Sequence, residues 1–258
     1  MRVEYLIILF IAVFGVIVGS FLNVVILRYN TGRSIVRGRS ACFSCDRSLA
    51  WYNLIPVLSF LFQKGRCSSC QSKISWQYPL VELLTAILFT LIYLKFGLTF
   101  SFLFYSIIFS ILIVIAVYDI RHKIIPDGLV YLFVALVFLR LVYNYSAISP
   151  EVAVSSFIDG VLMFLFLASF WLFSGGTWMG LGDAKLILGL GWLNTICYGV
   201  TSLIYSFWLG AVVGIFINLF FKRIKEVPFA PFLVAGFMIV FFYGPNLFSY
   251  LGDLACLN

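Results

Sequence analysis

Apolar residues fill this chain in long blocks, parted by short polar breaks. Eight blocks are long enough to propose as membrane crossings: 5–27, 78–94, 98–118, 129–147, 154–174, 184–199, 201–221 and 229–250. The block 184–199 is the shortest. A spanning helix needs about 20 apolar residues. Lipid satisfies no backbone N–H or C=O, so blocks of this kind are expected to be helical. Eight crossings put both termini on the same side. The first block reads as a retained helix, because it lacks a small-residue cleavage site and runs into Asn23 and Arg28. The pattern predicts an all-α integral membrane protein of about eight transmembrane helices. It divides into a first helix 1–27, a polar insert 28–77 and a membrane domain 78–258.

Composition sharpens this. Hydrophobic residues make up 63% and charged residues 10% of the 258 positions, against about a quarter charged in soluble domains. A soluble globular enzyme, a disordered chain and a nucleic-acid reader are excluded. The net charge is +7, and its placement sets orientation. Of the 17 Lys and Arg residues, 14 fall on the side holding 28–77, 119–127, 175–185 and 222–227, the last including Lys222, Arg223 and Lys225. Arg2, Lys95 and Arg140 fall on the other. Basic loops stay cytoplasmic. The expectation is a multi-pass protein of the cell inner membrane, with its N-terminus outside and its insert in the cytoplasm. One insert and short loops make no groove for nucleic acid. The same charges suit anionic membrane lipids.

Four of the six cysteines lie in the insert: Cys42, Cys45, Cys67 and Cys70, in a C-x2-C-x21-C-x2-C pattern. Paired C-x2-C knuckles at such spacing suit a tetrahedral zinc site. A metal would also stabilise an insert too small for a sizeable core. Two disulfides are the alternative, which a reducing cytoplasm disfavours. Four thiolates leave no open position, so the zinc would be structural. Arg47, Lys64 and Arg66 would help balance its charge. Cys197 and Cys256 read as packing or surface cysteines.

Acidic residues number only ten. Asp119 closes the third block and Asp183 opens the sixth, within Gly180-Leu181-Gly182-Asp183. Ionisable groups at membrane depth are functional candidates. The topology drawn from basic residues alone puts both at the same cytoplasmic boundary. Such a pair permits a dyad, in which one carboxyl keeps a proton while the other acts as base toward a shared water. This is the chemistry of aspartic peptide hydrolysis. Gly182 would leave room for an extended substrate strand. Capping is the other reading of these carboxylates; Asp183 alone would pass for an N-cap, and Asp127 after Pro126 suits one. Asp159 lies near the opposite face. Lys185 reads as an interfacial snorkelling residue. His122 is the only histidine, and no H-E-x-x-H exists, so a zinc metalloprotease is excluded. A proton-coupled transporter would want carboxylates at mid-membrane. A non-catalytic assembly scaffold would need no dyad.

Taken in order, these motifs resemble those of the bacterial type IV prepilin leader peptidases, a family of membrane aspartic proteases. The resemblance rests on Gly15 to Val25, the cysteine insert with Trp51 to Pro56 and Gly65-Arg66-Cys67, Tyr78 to Ala86, Asp119 to Asp127, Gly180 to Asp183, and Pro228 to Phe232. It implies that 78–258 is the peptidase domain, with Asp119 and Asp183 catalytic. It further implies type IV prepilin or pseudopilin substrates, cut after glycine on the cytoplasmic side. N-methylation of the new N-terminus from S-adenosylmethionine would follow. Gly65 and Glu82 lie in matching segments, and the resemblance points to them for methylation; a tight turn at Gly65 and a helix-end carboxylate at Glu82 are the alternative readings. An intramembrane protease of the signal-peptide-peptidase type shares G-x-G-D but lacks the four-cysteine insert.

Overall fold

Without water to bond its backbone, an apolar block closes its own hydrogen bonds, and each of the eight blocks is largely helical over its described residues. The computed structural model describes residues 2–147, 150–193, 196–220 and 227–244. In chain order the helices are α1 (Arg2–Arg28), α2 (Leu58–Phe62), α3 (Gln77–Phe96), α4 (Phe100–His122), α5 (Asp127–Ala147), α6 (Pro150–Ser174), α7 (Leu181–Trp192), α8 (Ile196–Phe220) and α9 (Ala230–Tyr243). A short 3-10 helix, Trp51–Leu54, precedes α2. Among the described residues the only β-pairing is two isolated bridges in the insert.

Among the described residues, six helices are long and apolar enough to cross a membrane: α1, α3, α4, α5, α6 and α8. The expected single helix over 184–199 is divided instead. α7 stops at Trp192 and α8 begins by Ile196. Asn194 and Thr195, poor helix-interior residues, lie outside the described residues. At 1.5 Å per residue, α7 reaches about 18 Å, against a hydrocarbon core of about 30 Å. The expected block 229–250 is described only as α9, 14 residues long. Residues 245–250 lie outside the described residues, as do Lys222, Arg223, Lys225 and Cys256.

By packing, the chain forms two compact units, residues 1–114 and 115–258, which divide within α4. In the first, α1 lies against α3. A side chain on Gly15 would stand 2.6 Å from the Ala86 Cα, and one on Gly19 2.7 Å from the Glu82 Cα. Two glycines four apart thus bring the backbones together, as small residues do between helices in lipid. One turn on, buried Asn23 donates through its amide to the Tyr78 carbonyl at 3.1 Å, and Gln77 donates to Asn23 Oδ1 at 3.3 Å. The segment quoted for its family likeness is therefore a packing stripe. Arg28, which sequence pattern assigns only to orientation, ties down the insert by donating to the carbonyls of Ser34, Arg37 and Arg39.

In the second unit, α7 lies against α5 and α6, and α9 against α8. The α6–α7 crossing is also built on glycine. A Cβ on Gly191 would stand 2.5 Å from the Gly160 Cα. The Trp192 ring stacks on Phe157 and its N–H donates to the Phe157 carbonyl at 3.3 Å.

Candidate active site and metal centre

Asp119 lies one turn before the end of α4. That helix stops at Lys123, whose φ of 55° is left-handed and whose N–H donates to the Asp119 carbonyl at 2.7 Å. This is an αL stop. Pro126 then forces the chain out of helix before α5 begins at Asp127. The Asp119 side chain is 4% exposed, and its Oδ2 accepts the Ala230 N–H at 3.2 Å. Ala230 opens α9, where free N–H groups and the helix dipole favour an anion. Pro231 has no N–H to compete. The late proline motif thus gains a role that sequence pattern alone did not assign: it aims a helix start at Asp119.

Asp183 sits in the first turn of α7, outside the six spans, and is 7% exposed. The N-cap is Gly180, with extended backbone, so Asp183 is not the cap. Its carboxylate instead reaches back to the Gly180 N–H, as the acidic residue of a capping box does. Oδ1 is buried with no hydrogen-bond partner. Burial pushes its carboxyl up to about 7, and the neighbouring Asp119 charge adds to the rise. Asp119 and Asp183 thus lie in the same compact unit, within electrostatic reach of each other.

The space over Gly182 is not open to a strand. A Cβ there would stand 3.0 Å from the Ile125 Cβ. The glycine lets the 123–126 turn pack on the start of α7, which fixes one aspartate's helix against the other's. Lys185, read from sequence as a snorkelling residue, does the same from the next turn. Its Nζ donates to Asp127 Oδ1 at 2.8 Å and to the Tyr131 hydroxyl at 3.0 Å. Asp127 is the first residue of α5 and half of this ion pair, more than the cap expected of it. Asp159 is buried on α6 against the α8 backbone at Gly199. His122 is exposed and packs on Tyr118.

In the first unit, the four insert cysteines converge. Their sulfurs all lie within 4.8 Å of one another, and Cys42 and Cys70 stand 3.8 Å apart. Zn–S bonds of about 2.3 Å in a tetrahedron put sulfurs about 3.8 Å apart, so the donor set fits a metal ion. All four are free thiols. The two knuckles repeat one geometry. Cys42 and Cys67 N–H donate to the Arg47 and Ser72 carbonyls, and Asp46 and Gln71 turn the chain with positive φ. N–H groups of Ser44 and Cys45 aimed at the Cys42 sulfur bring that thiol down to about 6. Ser72 lowers Cys70 likewise. Arg47 joins the knuckles by donating to the Ser69 hydroxyl at 3.1 Å. Cys197 lies in the first turn of α8.

Gly65 and Glu82 meet opposite ends of α2. Glu82, 5% exposed, accepts the Val57 N–H at 2.7 Å just before that helix. Gly65, with φ 66°, donates to the Phe60 carbonyl at 2.9 Å and lies under the Phe60 ring.

Residues 13–96 match the Bacterial Peptidase A24 N-terminal domain, and residues 106–215 match the Type IV leader peptidase family. The chain is 37% identical over 249 residues to a protein of Bacillus subtilis (strain 168) named prepilin leader peptidase/N-methyltransferase, covering 94% of this chain and 97% of that one. Proteins of the same name in Vibrio cholerae serotype O1 and Neisseria gonorrhoeae are 32% and 31% identical. These cover 93% and 89% of this chain, and 98% and 88% of theirs. No solved structure matches.

Proposed function

Because the chain belongs to the type IV leader peptidase family, we propose that it is a membrane aspartic endopeptidase acting on type IV prepilins or pseudopilins. It removes the leader after glycine and then N-methylates the new N-terminal residue. The observation that carries this reading is the approach of Asp119 and Asp183, 64 positions apart in sequence, within one compact unit.

Two neighbouring carboxylates share one proton. Its resting place is Asp183, buried with an unpartnered oxygen. Asp119, bonded by the Ala230 N–H at a helix start, is the carboxylate. It takes a proton from water as the water oxygen bonds to the scissile carbonyl carbon. Asp183 then gives its proton to the leaving nitrogen as the C–N bond breaks.

The topology that serves this chemistry has the N-terminus outside and the insert in the cytoplasm. The aspartates then sit at the cytoplasmic rim of the inner membrane. The substrate's apolar helix lies in the bilayer and its basic leader in the cytoplasm, so the scissile bond falls at headgroup depth. Cys42, Cys45, Cys67 and Cys70 hold a structural zinc ion. S-adenosylmethionine supplies the methyl group for the new amine. Gly65 and Glu82 serve that step by fixing the two ends of α2.

The test is to incubate the purified membrane protein with a prepilin and S-adenosylmethionine and weigh the product's N-terminus. Wild type yields a shortened, methylated product. Asp119→Asn and Asp183→Asn yield uncut prepilin while keeping wild-type helix content. Normal processing by either variant would refute the dyad.

A further inference from the structure

Residues 51–62 belong to the polar insert by position but not by composition. The twelve residues from Trp51 to Phe62 carry no charge, while eight Lys and Arg residues occur between Arg28 and Lys73. Trp51 is 77% exposed and Phe62 85%, with Tyr52, Leu58 and Leu61 also exposed. Water-facing loops do not present such a surface without a partner.

The backbone fixes its depth. Val57, just before α2, donates its N–H to Glu82. Glu82 is the sixth residue of α3, a span that begins at Gln77. At 1.5 Å per residue the bond lies about 7.5 Å along the span from its insert-side end. Leu80, Leu83 and Leu84 of the same turns are exposed on α3. The apolar surface of 51–62 therefore lies at the same depth along α3 as these exposed leucines.

Much of its backbone around α2 is closed by local hydrogen bonds. Asn53, Leu58, Ser59 and Leu61 donate to the carbonyls of Ala50, Pro56, Ile55 and Val57. Pro56 has no N–H, and the Val57 N–H goes to Glu82. Backbone at membrane depth requires such closure. Trp and Tyr at one end match the residues enriched at bilayer interfaces, and the flanking cations complement anionic headgroups.

We propose that residues 51–62 form a wedge seated in the bilayer interface, with Trp51, Leu58, Leu61 and Phe62 among acyl chains and the flanking arginines and lysines among anionic headgroups. The placement is independent of the peptidase reading. The test replaces Trp51, Phe62 or, as control, Val36 with a photoreactive benzoylphenylalanine in the full chain. All three positions are exposed. Each variant is reconstituted into vesicles of phosphatidylethanolamine and phosphatidylglycerol, illuminated and analysed by mass spectrometry. Lipid adducts at positions 51 and 62 that exceed those at 36 and persist when a prepilin is added are the expected result. Lipid adducts no more abundant than at position 36 would overturn the proposal. So would adducts to a second copy of this chain, or replacement of lipid by prepilin adducts, which would assign the surface to substrate.

Discussion

The α6–α7 crossing offers the sharpest test of how the fold aims Asp183. Gly191→Ala adds one methyl group where the facing Gly160 Cα would stand at 2.5 Å. Ordinary contact begins near 3.4 Å, so the helices must part by about 0.9 Å or strain by a comparable amount. Backbone lies on the far side, so no side chain can swing away. Asp183 sits eight residues earlier on the same helix, about 12 Å along its axis. A displacement near 1 Å in a positioned catalytic group can cost about 100-fold. The variant should therefore cleave a prepilin about 10- to 100-fold more slowly, with about 1–3 kcal/mol lost from stability. Gly214→Ala in α8 is the control, because nothing lies within 4 Å of a Cβ there. Initial rates and melting temperature are measured on both in one detergent. A wild-type rate for Gly191→Ala, or an equal loss for Gly214→Ala, would show that this crossing does not set the site.

Three further outcomes are expected. Asp183 has its carboxyl raised from 3.8 to about 7, so the folded state holds that proton more tightly than the unfolded chain. Its contribution to stability is full below about pH 4 and is lost as pH rises through about 7; melting curves at pH 5 and 8 should differ less in Asp183→Asn than in wild type. Lys185→Met removes a partly exposed ion pair to Asp127, worth about 1 kcal/mol. Cleavage should slow about 5-fold, Asp127→Asn should match it, and the double variant should be no worse; additive losses would show two separate roles. Cys42→Ser leaves three of four thiolates, and elemental analysis should find the zinc lost and the insert open to protease. Full zinc retention would remove Cys42 from the ligand set.

The peptide bond's need for hydrogen bonds made the helices legible in sequence, since eight apolar blocks in lipid have only one way to close them. The cysteine spacing was equally legible, because two C-x2-C turns carry their geometry locally and need only be brought together. The two aspartates stood out because carboxylates are rare in so apolar a chain. Local pattern could not say which surfaces meet. That Gly191 faces Gly160, that Ile125 fills the space over Gly182, that Lys185 reaches Asp127, and that Ala230 offers its N–H to Asp119 each depend on residues 31 to 111 positions apart. Nor could it show that α7 is only twelve residues long and ends at Trp192. Chain chemistry alone determined that this protein lives in a membrane with few acid groups and a paired set of thiols; only the packing of helix on helix decided which of those groups come near one another, because that depends on distances sequence neighbours do not set.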